Sequence, residues 1–156
     1  MKAGTYDLID EPKPGALSHF AVKPIWPLLA VMLGGAWISW PWFVLNGFAV
    51  GSPTRRRELA WALAGPLGCL ALILVLGQLA VQGAIGGLTL KYLTIGVVVF
   101  KLYVTYMLFT LQTQSFSLYE YFGGQLRSGV FPLIAAALLR PRVLGQMPEL
   151  LRIVLG

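Results

Sequence analysis

Lys101 stands where a charge is costly. It lies 13 residues from Leu88 and ten from Leu111, inside an apolar run. A cation near the centre of a bilayer costs about 2.5–3.5 kcal/mol on insertion scales, so it should face protein, water or a partner. It does not stand alone. Lys91, Thr94, Lys101, Thr105 and Gln112 follow one another at spacings of three, seven, four and seven, which puts them on one face of a helix. Hydroxyl and amide groups on such a face suit interhelical hydrogen bonds.

The apolar runs contain no Asp, Glu or His. Glu58 stands at the edge of one run and Glu120 beyond another, so neither is expected to reach the middle. The partner of Lys101 is therefore expected to be a backbone carbonyl, a bound anion or lipid, or a carboxylate on another chain. His19 is the only histidine and Cys69 the only cysteine. Haem and most metal sites need clusters of His, Cys or carboxylate. No Ser/His/Asp set, carboxylate pair or phosphate loop is present. No catalytic, cofactor-binding or metal-ligating residue is assigned, no cofactor is expected, and the chain reads as a non-enzyme.

Two further patterns concern packing. Ala60, Ala64 and Gly68 form a small-residue row that lets another helix backbone approach, either this chain's own or a foreign one. Arg55, Arg56 and Arg57, with Arg140 and Arg142, flank apolar runs and read as cytoplasmic anchors. Tyr119–Gly124, with Glu120 among aromatics, reads as an interfacial helix end with a glycine stop.

The elements that hold these residues follow from composition. Of 156 residues 57% are hydrophobic and 12% charged, against about 25% charged in a typical soluble domain. There is too little polar surface to cover a globule in water. The net charge of +6 would suggest nucleic acid in a soluble chain. Here the cations sit at the ends of apolar runs, so they read as topology signals and lipid-phosphate contacts, and no nucleic-acid partner is expected.

The fold class predicted is an all-α integral membrane protein. A central transmembrane helical hairpin is flanked by a re-entrant or kinked N-terminal segment and a short C-terminal half-helix. Residues 1–24 form a polar tail and 25–156 a membrane domain, with apolar segments 25–50, 59–81, 88–111 and 122–139. The last of these has an apolar core of ten residues, Val130–Leu139, extended back through Phe122. Residues 146–156 are expected to lie along the interface. The first segment should be interrupted near Gly34-Gly35 or at Pro41. If the first and fourth segments enter and leave on one side, ten flanking cations lie inside and one outside; four full crossings give seven and four.

Three functional classes fit. The first is a non-catalytic subunit that packs against and positions other membrane protein subunits, with anionic lipid head groups as further partners. The second is a small homo-oligomeric transporter or channel for an anion or lipid. The third is a membrane-shaping scaffold. Compact loops and basic flanks suggest a bacterial cytoplasmic (inner) membrane. The orientation is testable. With three arginines before the second run and none in Gln82–Gly87, Gly83→Cys should be labelled by an impermeant thiol reagent in sealed cells. Labelling only after lysis would reverse the topology.

Overall fold

The computed structural model describes Gly15 and residues 17–156; most of the expected polar tail lies outside the described residues. Six α-helices follow a short 3-10 turn at Ser18–Phe20. They are α1 (Ile25–Leu33), α2 (Ala36–Val50), α3 (Arg55–Val81), α4 (Gly87–Tyr121), α5 (Val130–Gly145) and α6 (Glu149–Leu155).

The 25–50 segment is broken, and at the expected place. Gly34 ends α1, and Gly35 adopts φ 104°, ψ 170° before α2 begins. That conformation is essentially confined to glycine. A Cβ on Gly35 would also stand 2.8 Å from the Leu155 carbonyl oxygen. Pro41 does not break α2; it sits inside the helix. The two helices run antiparallel, as two levels of contact show. Ser39 Oγ donates to Pro27 O at 2.7 Å. Further from the tip, Asn46 clamps Val22: its Nδ2 donates to Val22 O at 2.8 Å, and Val22 N donates to its Oδ1 at 3.1 Å.

The α3–α4 hairpin forms with its turn at residues 82–86. At 27 residues, α3 is about 40 Å long, enough for an apolar core of about 30 Å. Both helices are long and apolar enough to cross a membrane. Only 17% and 28% of their most apolar windows are buried, which is not how the core helix of a soluble protein sits. Helix α4 runs ten residues past the expected end at Leu111. Along this stretch Thr110, Thr113 and Ser117 satisfy their hydroxyls on carbonyls four residues earlier, while Gln112 and Ser115 face inward. Gly123, at φ 88°, then stops the helix, as the YEYFGG pattern predicts.

The C-terminal part departs from expectation in three ways. First, α5 begins only at Val130. Residues 122–129 are not helical; Arg127 N donates instead to Ala21 O at 2.9 Å, and this segment cannot extend a helix back through Phe122. Second, α6 is tied to the bundle by Val154, 2% exposed, while Glu149–Ile153 stay on the surface. Third, Arg140 reaches the carbonyls of Met32 and Leu33, at 3.4 Å each, at the tip of the α1–α2 hairpin. Lys23, at the other end of α1, pairs with Glu120 at 3.3 Å. Arg140 therefore lies at the α1–α2 tip and not beside Arg55–Arg57.

The tip geometry generates a test. Gly35→Ala should cost at least about 1–3 kcal/mol from backbone strain alone. Gly77→Ala, where a Cβ meets open space, should be neutral or slightly stabilising. Equal unfolding midpoints in mixed micelles would refute the strained tip.

Candidate functional site

The polar groups of α2, α3 and α4 converge on Glu58. Thr54 precedes α3, so Glu58 falls in that helix's first turn. It begins an inward face that continues through Ala62, Gly65 and Cys69, all buried. Its side chain is 0% exposed, and the described residues bring no cation to it. Hydroxyl and amide donors meet it instead. Ser52 Oγ and Thr54 Oγ1 each donate to Oε1 at 2.7 Å. Gln112 Nε2 donates to Oε2 at 2.6 Å. Gln112 uses its second amide hydrogen on the Phe43 carbonyl at 2.5 Å; its Oε1 is buried without a partner. Ser115 Oγ lies 3.0 Å from Ser52 Oγ and extends the cluster along α4. The N-terminal turn of α3 adds its partial positive charge, which favours an anion there.

Space is as constrained as charge. A Cβ on Gly47 would overlap Glu58 Oε2, so α2 must pass the carboxylate as bare backbone. One level further along the bundle, Trp40 Nε1 donates to Thr105 Oγ1 at 3.0 Å, and Thr105 donates to Lys101 O at 2.8 Å. The Trp40 ring fills the space beside Gly65.

Lys101 is 7% exposed, and its Nζ donates to the Gly156 main-chain oxygen at 2.8 Å. Its partner is thus a main-chain oxygen just beyond α6. The stripe divides. Lys101, Thr105 and Gln112 are buried among neighbouring helices, whereas Lys91 and Thr94 are exposed. All five share one face of α4, but among the described residues of α4 none before Val97 is buried. The small-residue row also divides. Gly68 meets Phe100 of α4, while Ala60 and Ala64 face outward; the packing face of α3 is Ala62–Gly65–Cys69 instead. Arg55, Arg56 and Arg57 are exposed at the start of α3.

Sequence reasoning placed Glu58 at an edge and overlooked Ser52, Asn46 and Ser115. The signal was there: Glu58, Ala62, Gly65 and Cys69 follow four-three-four spacing, and Gln112 and Ser115 continue the inward face of α4. No protein-family model, curated protein or solved structure matches this chain.

Removal of Glu58 leaves three donors unmet, and removal of Gln112 leaves a buried carboxylate under-solvated. A double-mutant cycle of Glu58→Ala and Gln112→Ala should therefore give a coupling of about 1.5–3 kcal/mol, the range for hydrogen bonds to charged groups. Additive effects would show that the two side chains act independently.

Proposed function

We propose that this chain is an integral membrane protein, without catalytic activity of its own, that serves as a subunit packing against other membrane proteins. The observation that carries this reading is the unpacked end of the α3–α4 hairpin. From Leu70 to Gly96 no residue is buried, although Leu72, Leu74, Val75, Leu88, Leu93 and Ile95 are large, apolar and exposed there. In water such a surface would drive association. In a bilayer it is open to acyl chains or to foreign helices, and Lys91 on the same protrusion adds a polar group that a partner helix satisfies better than lipid, whereas Thr94 already donates to Leu90 O at 2.8 Å. Lys101, already met by Gly156, gives no argument for a partner.

The rest of the molecule fits a fixed base for this protrusion. The α1–α2 pair reads as a re-entrant hairpin, entering and leaving on the side of Arg55–Arg57. With the positive-inside rule this places the N-terminal side in the cytoplasm, as in a bacterial inner membrane.

Mild-detergent extraction of the native protein tests the reading. A foreign membrane protein should co-purify in fixed ratio. Gly96→Leu, at a position with open space around it, should leave this chain inserted but lower partner recovery several-fold. A chain that purifies alone, or only with copies of itself, would sink the subunit reading; copies alone would favour the homo-oligomeric transporter.

A further inference from the structure

Ala60 and Ala64 face outward on α3, and the third member of their row limits what can lie on them. The Phe100 ring fills the place beside Gly68, where a Cβ would stand 2.6 Å from its Cζ. A helix docked along α3 needs small residues over several turns to bring its backbone close, and Phe100 ends the row after two. What remains is a shallow groove, open along most of its length, of about 300 Å³ and lined by Arg57, Ala60, Trp61 and Ala64. These four residues follow one face for two turns, with a guanidinium at one end and alanine methyl groups along the floor. Trp61 forms a wall and is held edge-on against Tyr103, with ring centroids 6.0 Å apart. The volume is at the bottom of the range for small-molecule pockets, roughly 300–1,000 Å³. It admits part of one flexible chain.

The charge at the mouth selects the head group. Arg55 lies over the Phe48 ring, 5.7 Å from its centroid. Among the described residues neither Arg56 nor Arg57 makes an ion pair. Glu58, the only acid in α3, is turned inward and fully buried. A guanidinium fork matches phosphate oxygens in pairs. The geometry points to a binding site for one anionic phospholipid on α3, its phosphate held by Arg57 and the start of an acyl chain laid over Ala60 and Ala64. A zwitterionic lipid offers the same phosphate but brings its own cation to the arginine cluster, and so binds less well. The inference rests on α3 lying in a bilayer.

The test uses the full chain in mixed micelles containing phosphatidylglycerol or phosphatidylcholine, with bound lipid counted by native mass spectrometry. One phosphatidylglycerol should be retained in preference to phosphatidylcholine. Arg57→Gln should weaken its binding about five-fold, the worth of one cation beside an anionic lipid surface. Ala60→Leu, which fills the groove and keeps every arginine, should weaken it by a similar factor. Arg127→Gln, away from α3, should leave it unchanged. Loss with Arg57→Gln but not with Ala60→Leu would reduce the site to unspecific charge and overturn it, as would equal retention of the two lipids. Flotation with phosphatidylglycerol vesicles separates the two readings: a chain that does not float overturns the membrane assignment, and the lipid site with it.

Discussion

A carboxylate sealed among three helices has to be met by donors on every side, and Glu58 sets that requirement for this fold. The groups that meet it come from the α2–α3 turn and from α4, and its near face is bare backbone of α2 at Gly47. Such a network adds little net stability compared with an apolar residue of the same shape, because desolvation offsets most of the gain. What it does fix is register. Sliding α4 by one residue along α3 turns Gln112 away and leaves buried charge unmet, a cost of a few kcal/mol that apolar contacts alone would not impose.

The same rule governs the other polar contacts inside the bundle. Asn46 bonds to both main-chain atoms of Val22, just before α1, where helical partners are lacking, and Ser39 adds a second donor to the Pro27 carbonyl within α1. Lys101 meets the Gly156 oxygen just beyond α6, and Arg140 lies near the last carbonyls of α1. Side chains that look like chemistry in the sequence are used to close backbone that short helices leave open. Helices α1 and α6, of nine and seven residues, are too short to be stable by themselves.

Local signals made much of this legible. Two adjacent glycines between prolines marked the break in 25–50, and the uncharged QGAIGG turn marked the α3–α4 hairpin. The elimination of acidic partners for Lys101 left a backbone carbonyl among the few possibilities. Long-range placement was the part that failed. Glu58 was judged by its position in a run, yet a helix that starts at Arg55 turns it inward. Arg140 resembled a flank because it follows an apolar run, but α5 lies beside α1 and carries it to the hairpin tip. Lys91 and Thr94 had the right periodicity, and periodicity does not say where the neighbouring helices stop.

The pairing of α1 with α5 bears on the order of assembly. Trp26 packs at Gly129 and Gly34 at Ala136, so surfaces near the two ends of the described chain meet. During synthesis α1 and α2 emerge first, and their partner α5 appears only after both long helices have been made. The α3–α4 hairpin has its contacts close in sequence and can form as a unit. The face of α1 that α5 covers stays open until the last third of the chain has been made. The α1–α2 pair holds itself together meanwhile through Ser39 on Pro27 and Asn46 on Val22, contacts that need no later part of the chain.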